Sequence, residues 1–271
     1  MSPQKAVLLV SCVLVLIAGA LTAQQRGFGR NTEPMYTGIP EKRTGFSFCR
    51  LRYTSGRREA GGSGWGTDYP NADRNFMVRL QQLTYTPINR WSEQEPGFTV
   101  VRATEPAMYQ CPFLFTSDVG TATFDIEEVQ HLRNYLLKGG FLWVDDFWGD
   151  YAWDNWVGEI QRVLPEFSIV DLPLDHGLFS VFYQVPVIPQ IPAISFWRRS
   201  GGGTSERAYE SATPHIRAIF DQKGRILVLM SHNTDIADGW EREAEDEDFF
   251  YSFTGKGYGV GINVVLWALS H

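Results

Sequence analysis

Two groups of polar side chains follow apolar runs of strand length, and these are the residues whose types could do chemistry. The first run, residues 141–144, ends at Asp145 and Asp146. The second run, residues 226–230, is followed by a polar group of four: His232, Asn233, Asp235 and Asp238. A carboxylate beside an imidazole can orient it, raise its basicity or share acid–base work with it. We therefore predict that Asp145, Asp146 and His232 are catalytic and that the other three residues bind ligand.

Structural roles are the alternative for each of these side chains. Adjacent residues of a strand point to opposite faces, so only one of Asp145 and Asp146 needs to face a given cleft. Asp145 could instead cap the following helix, and Asp235 could shape a turn. Asp and His also bind several divalent metals. No specific metal motif is present, so the cofactor is unknown and a divalent metal stays open.

Four further residues are weaker candidates for ligand binding. Trp65 and Trp148 could stack on a sugar ring, or they could belong to the core or a lid. Asp68 lies in a glycine-rich segment after the first predicted strand, and His176 lies in a proline-rich region where it could simply be solvated. We predict that all four contribute to the same cleft.

The elements that must position these groups follow from the hydrophobic pattern. Residues 123–138 predict a helix with Asp125 as N-cap and Gly139 as its left-handed stop. The fully apolar run that follows is typical of a buried strand in a parallel sheet. Strands alternate with helices along the chain, which predicts an α/β sheet covered on both faces. Ligands of such sheets bind outside the carboxyl ends of the strands, where Asp145 and Asp146 fall.

The N-terminal residues predict export. Lys5 precedes an apolar run that ends in small residues, which is typical of a secretory signal peptide. We predict a signal peptide over residues 1–23, with cleavage after Ala20 or Ala23, a flexible tether over 24–44 and one domain over 45–271. The protein would then be periplasmic or secreted, with no stable transmembrane span after cleavage.

Composition and the remaining motifs exclude several classes of function. The net charge of −7 argues against a nucleic-acid binder, whose affinity depends on Lys and Arg at phosphates. The sequence has no Walker phosphate loop, no dinucleotide fingerprint and no G-x-S-x-G hydrolase elbow. Cys49 and Cys111 could form a disulfide in an oxidising compartment or remain two buried thiols. Protein partners cannot be predicted.

Four motifs stand out together: Tyr109 with Pro112–Leu114, Glu127–Glu128 with Leu132–Leu136, Gly139–Asp146, and His232–Asp235. Together they resemble the bacterial domain-of-unknown-function family numbered 4159 (DUF4159). The resemblance spans Phe46 to His271 and is most specific in the run Gly139–Asp146. That family in turn resembles the class I glutamine-amidotransferase-like superfamily, including trehalose-utilisation-type (ThuA-like) proteins. The resemblance implies a flavodoxin-like, three-layer α/β/α sandwich.

The resemblance also bears on activity. In true amidotransferases a nucleophilic Cys follows the strand that here spans residues 141–144, and a His follows a late strand. This chain has His232 at the late position but Asp145 and Asp146 at the nucleophile position. A carboxylate cannot form the same thioester, so the resemblance implies a retained cleft without glutaminase activity.

Three hypotheses of function remain after sequence analysis. The leading one is an exported amidotransferase-like domain that binds a small polar ligand, such as a carbohydrate, in a cleft formed by Asp145, Asp146 and His232. The second is a hydrolase that uses Asp and His, with or without a metal. The third is a non-catalytic structural or partner-binding module of a cell-envelope complex.

Overall fold

The structure, a computed structural model, describes residues 36–38, 40, 45–59 and 62–271. The residues from Tyr36 to His271 form one compact unit. The predicted signal peptide lies outside the described residues, as does most of the predicted tether. Within the tether, the described residues Tyr36 and Thr37 lie against a strand: the Tyr36 carbonyl accepts a hydrogen bond from Val100 N at 2.8 Å, and Thr37 bridges to Val100.

A seven-stranded, mostly parallel sheet forms the centre of the described unit. Its strands in chain order are β1 Phe48–Arg52, β3 Phe98–Arg102, β4 Phe113–Ser117, β6 Phe141–Phe147, β7 Ile169–Asp171, β8 His215–Phe220 and β9 Ile226–His232. In space the order is β3-β1-β4-β6-β9-β8-β7. The first five strands are parallel, and β8 and β7 continue the sheet antiparallel. Two short strands, β2 Thr54–Ser55 and β5 Ala122–Thr123, pair separately.

Helices cover both faces of this sheet. The α-helices of the described residues are α1 Asn71–Thr84, α2 Ile126–Leu137, α3 Gly149–Val163, α4 Ile194–Arg199, α5 Asp238–Glu241, α6 Glu247–Phe249 and α7 Gly255–Ser270. One buried cluster joins α1, α5 and α7 to the sheet through Phe76, Trp240 and Val264. A second cluster, on the other face, joins α2 and α3 through Leu132 and Trp156. Since apolar side chains of both faces are buried, the predicted α/β class with a mainly parallel sheet is confirmed.

Local signals positioned several elements correctly. The predicted cap of α2 is confirmed: the Asp125 side chain accepts from Glu128 N at 2.8 Å, and Glu128 reaches back to Asp125 N at 3.0 Å. Strand β4 begins at Phe113, shortly after a 3-10 helix formed by residues 106–110. Cys49 and Cys111 form a disulfide, which decides between the two alternatives that the sequence left open. In the described part of the chain, no helix combines the length and the apolar character needed to cross a bilayer.

Strand β6 differs from its prediction in a way that matters for the site. The strand continues through Asp145 and Asp146 to Phe147 instead of ending before them. Its register against β9 shifts between Val144 and Phe147, so the two aspartates lie in an irregularity of the ladder. Such bulges re-aim side chains at sheet ends. Here the irregularity places Asp146 in a left-handed conformation, with φ 54°.

Candidate functional site

An acidic cleft of about 300 Å³ lies at the carboxyl ends of the parallel strands. Segments that follow four of these strands supply its walls: Asp68 after β1, Asp118 after β4, Asp146 near the end of β6, and Asp235 after β9. The lining includes eight acidic and two basic side chains: Glu59, Asp68, Asp118, Asp146, Glu206, Asp235, Asp238 and Glu241, with Arg207 and Arg242. Tyr69 and Trp148 add aromatic surface.

Three of the lining aspartates have backbone conformations that are uncommon for residues with a side chain. The φ angles are 64° for Asp68, 52° for Asp118 and 54° for Asp146. Left-handed conformations of this kind cost a non-glycine residue on the order of 1–3 kcal/mol and cluster at functional sites. The backbone of the site holds them in place: Asp118 N donates to the carbonyl oxygens of Asp145 and Asp146, each at 3.1 Å.

Three carboxylates converge inside the cleft. One oxygen from each of Asp68, Asp235 and Asp238 lies within 4.8 Å of the other two. The segment after β9 is fixed by its own hydrogen bonds, since Asp238 N donates to Asp235 Oδ1 at 2.8 Å and Asp235 N donates to the Ile191 carbonyl at 2.9 Å. The spacing is therefore built into the fold and does not depend on flexible surface side chains.

Burial and mutual repulsion disfavour the ionised forms of these acids. Burial, with the nearby charge of Glu241, raises the pKa of Asp68 to about 7. Burial, with a contribution from Glu59, raises the pKa of Asp118 to about 7. Burial also raises the pKa values of Asp146, Asp235 and Asp238 well above their usual range, and neighbouring aspartates add to each increase. The cleft therefore favours either protons or a cationic charge beside its carboxylates.

Asp145 lies behind the cleft and is fully buried. Its Oδ2 accepts a hydrogen bond from Ala237 N at 2.9 Å. The nearby Ser231 hydroxyl favours the ionised form of Asp145. No donor among the described residues lies in hydrogen-bond geometry with Asp145 Oδ1. Burial, and then the charge of Asp68, raise the pKa of Asp145. The structure thus separates the two adjacent aspartates, with Asp146 lining the cleft and Asp145 beneath it.

Arg50 holds the loop that carries Asp68, here called the Asp68 loop (residues 62–70). Its guanidinium is completely buried and donates to both carboxylate oxygens of Asp73, with Nε 3.0 Å from Oδ2. It also donates to the carbonyl oxygens of Trp65 at 3.0 Å and Thr67 at 2.9 Å. A buried guanidinium needs an acceptor for each of its donors. Through these hydrogen bonds the Arg50–Asp73 ion pair holds the Asp68 loop against β1 and α1.

His232 does not line the acidic cleft. Its ring packs between Phe147 and Trp153, on the face of the sheet covered by α3. Arg217 donates to its Nδ1 at 3.0 Å, so we assign the proton to Nε2, which lies 3.2 Å from the Gly149 carbonyl. Burial lowers the pKa of His232 to about 4, which keeps the ring neutral. His232 therefore does not share a cleft with Asp145 and Asp146, contrary to the prediction from the sequence. The pleat of the strands turns the Asp145 side chain to one face of the sheet and the His232 side chain to the other.

The other predicted residues divide between the cleft and the scaffold. Trp148 lines the cleft, and its Nε1 donates to Asp146 Oδ1 at 2.9 Å. Asn233 holds the start of α3, where its Oδ1 accepts from Gly149 N at 2.8 Å. Trp65 stacks beneath Arg52, outside the lining. His176 packs on Trp267 and accepts from Leu178 N, close to Phe220 at the opposite edge of the parallel strands.

Sequence reasoning missed four of the acidic side chains that line the cleft. Asp118 carried the same signal as Asp146, a carboxylate at the end of an apolar strand, and could have been selected on that ground. Glu59, Glu206 and Glu241 lie in irregular or short helical segments. No periodic pattern connects those segments to the sheet edge, so only the folded structure reveals them.

A comparison with protein families matches the same part of the chain that forms this fold and cleft. The sequence model described as "Domain of unknown function (DUF4159)" matches residues 47–269. The chain belongs to this family. The match of the DUF4159 domain begins just before β1 and ends within α7, so it includes every acidic residue of the cleft. No curated protein matches the sequence.

Proposed function

We propose that this DUF4159 domain binds a small, polyhydroxylated ligand, such as a carbohydrate, in the acidic cleft. One observation carries the proposal: hydrogen-bond acceptors from separate strand ends converge on one cleft that is also lined by aromatic residues. A carboxyl group accepts hydrogen bonds in both protonation states, and a protonated one also donates a hydrogen bond, which suits a ligand rich in hydroxyl groups. Tyr69 and Trp148 also belong to the lining, and aromatic rings pack favourably against the apolar faces of such ligands.

The charge of the cleft narrows the ligand class further. Eight acidic side chains and two arginines line it, and Arg242 already pairs with Asp238 and Glu241. An anionic ligand, such as a phosphorylated sugar, would meet repulsion from the carboxylates that remain. Neutral or cationic polar molecules are the class that the cleft favours.

The strand order supports the finer placement of the fold. The five parallel strands, counted along the chain, are arranged 2-1-3-4-5 in space, which is the flavodoxin-like order. The cleft lies beside the point where this order reverses, between β1 and β4. We propose on this basis that the domain is related to class I glutamine amidotransferases but lacks glutaminase activity, since Asp145 and Asp146 occupy the position of the nucleophilic Cys.

Hydrolysis of the bound ligand is the second candidate function, and Asp146 is the observation that favours it. Its strained backbone, its contact with Trp148 and its elevated pKa are properties of carboxyl groups that act as general acids or bases. His232 would not be the partner in such a reaction, because it lies on the other face of the sheet.

Export of the domain remains part of the proposal. The disulfide between Cys49 and Cys111 supports an oxidising compartment, where such bonds persist. We expect the mature protein to begin after Ala20 or Ala23 in the periplasm or outside the cell. Mass spectrometry of the protein recovered from its host tests this, and an intact Met1 in the recovered protein would contradict it.

A binding screen tests the proposed ligand class. We expect neutral oligosaccharides or other polyols to raise the Tm of the protein and to bind in calorimetry, whereas phosphorylated analogues do not. Trp148→Ala should weaken binding about tenfold or more, since an aromatic face contributes about 1–3 kcal/mol in comparable stacking contacts. Asp154→Asn, an exposed change on α3, is the matched control. A panel in which no polyol binds, or in which Trp148→Ala binds like the parent, would refute the proposal.

A further inference from the structure

We infer that Asp68, Asp235 and Asp238 bind a divalent cation of the oxygen-preferring class, with Ca²⁺ the ion that a set of three carboxylates favours. The inference rests on the proposed function, because the ion would lie within the same acidic cleft. A cation bound there would also explain why so many carboxylates are buried together.

The number and spacing of the three carboxylates favour Ca²⁺. Two oxygens bound to one ion cannot be farther apart than twice the metal–oxygen distance, which is about 4.6–5.2 Å for Ca²⁺. The three oxygens of this site lie within 4.8 Å of one another, a limit that is compatible with Ca²⁺. Mg²⁺ needs near-ideal octahedral geometry and is usually bound by only one or two carboxylates, so a set of three carboxylates favours Ca²⁺.

Each ligand keeps acceptor capacity for an ion. Asp235 accepts from Asp238 N, Asp68 accepts from the Ser117 hydroxyl at 3.3 Å, and Asp238 accepts from Ile194 N at 2.8 Å. Arg242 Nε lies at 3.4 Å from Asp238 Oδ1. An ionised carboxylate offers about four acceptor positions. These few donors leave acceptor positions of each carboxylate unoccupied. They also orient the carboxylates, as hydrogen-bonding groups do for the ligands of metal sites.

Asp145 provides an independent observation behind the cluster. It is fully buried, and its Oδ1 has no hydrogen-bond partner among the described residues. Its charge interacts with those of Asp68 and Asp235, so it lies close to the same group of acids. An unpartnered buried carboxylate oxygen is costly unless a proton or a cation compensates for it. A cation held by the three neighbouring aspartates would supply that compensation.

Shared protons are the competing explanation, and the two make different predictions. Calorimetric titration of the full protein, stripped with chelator, with CaCl₂ should show one site, and MgCl₂ should bind at least tenfold more weakly. Asp235→Asn should weaken Ca²⁺ binding at least 100-fold, while the exposed control Asp154→Asn binds like the parent. Since Asp235→Asn keeps the shape and relieves repulsion, its Tm in chelator should equal or exceed that of the parent. This separates lost binding from lost folding.

The outcomes of these titrations and of the polyol screen distinguish failure of the cation site from failure of the proposed function. Absence of Ca²⁺ binding, unchanged binding in both Asp235→Asn and Asp238→Asn, or tighter binding of Mg²⁺ than of Ca²⁺ would overturn the inference. Polyol binding that persists in chelator while no cation binds would leave the proposed function intact and sink only the cation site. Ca²⁺ binding without any polyol binding would support the cation site and refute the proposed function.

Discussion

Single residues of the same type have different roles in this domain because of the faces they occupy. The sequence directed attention to the carboxyl end of β6, since a buried apolar run followed by acids is a strong local signal. It could not say which aspartate faces the cleft, because that depends on a register shift between β6 and β9. His232 was selected by the same strand-end logic, but the pleat turns it away from Asp145. The alternation of side chains along one strand is predictable from the sequence, whereas the register between two strands that are distant along the chain is not.

His232 should matter for stability and not for binding in the cleft. His232→Ala removes a ring packed between Phe147 and Trp153 and leaves the Gly149 carbonyl without its donor. We expect a loss of about 2–4 kcal/mol in the free energy of unfolding. Ca²⁺ and polyol affinities should remain within about twofold of the parent, which is a small change on the affinity scale. Urea denaturation and calorimetry measure both quantities, and weakened binding at unchanged stability would contradict the structural role.

The elements next to the strands decide how the site is built. The sequence predicted a glycine-rich segment after the first strand, which contains Arg50, but it did not connect the two. In the structure, Arg50 and Asp118 fasten the Asp68 loop from two sides: Arg50 binds its carbonyl groups, and Asp118 Oδ2 accepts from Gly64 N at 2.8 Å. A buried arginine on a strand carries no sequence signal for its partner. The anchoring of this loop therefore could not be predicted.

A double-mutant cycle tests the ion pair that anchors the Asp68 loop. Arg50→Met or Asp73→Leu should each cost about 3–5 kcal/mol, because each leaves an uncompensated buried charge. Arg50→Met combined with Asp73→Leu should cost much less than the sum of the single changes. Denaturant unfolding of the four proteins gives the coupling energy. Additive costs would show that the pair does not act as a unit.

Helix α2 provides a test at an element whose start the sequence predicted correctly. Asp125→Ala removes one half of the capping box and should cost about 1 kcal/mol. The matched control is Asp154→Ala, an exposed acidic residue inside α3 that caps no helix. Thermal unfolding distinguishes the two, and equal effects would show that the capping interaction contributes nothing to stability.

At the scale of the whole molecule, sequence pattern predicted the class of fold and the edge of the sheet where the site lies. Both follow from local periodicity together with general rules for parallel sheets. The acidic cleft itself could not be predicted, because it joins segments from the Asp68 loop, the end of β4 and residues 206–241 that are distant along the chain. The net charge of −7 gave no hint of its concentration there. That concentration has a consequence for the stability of the entire domain.

The stability of the chelated protein should fall as the pH rises, contrary to the usual behaviour of a protein with ion-paired acids. Asp68 and Asp118 have pKa values of about 7 when folded and 3.8 as ordinary carboxyls, so the folded state binds more protons than the unfolded state between these values. Stability is therefore lost as the pH rises from about 4 to about 7. His232, whose pKa falls from 6.5 to about 4, acts oppositely below pH 6.5, but the buried acids outnumber it.

We accordingly expect the Tm in chelator to decrease between about pH 5 and pH 8. Asp118→Asn should flatten this slope, because it removes one titrating acid, and His232→Ala should steepen it, because it removes the opposing group. Adding Ca²⁺ should raise the Tm more at pH 8 than at pH 5, since the ion stabilises the ionised carboxylates that the higher pH produces. A Tm in chelator that rises across this range would mean that the buried acids are already compensated within the protein, and that the cleft requires no cation.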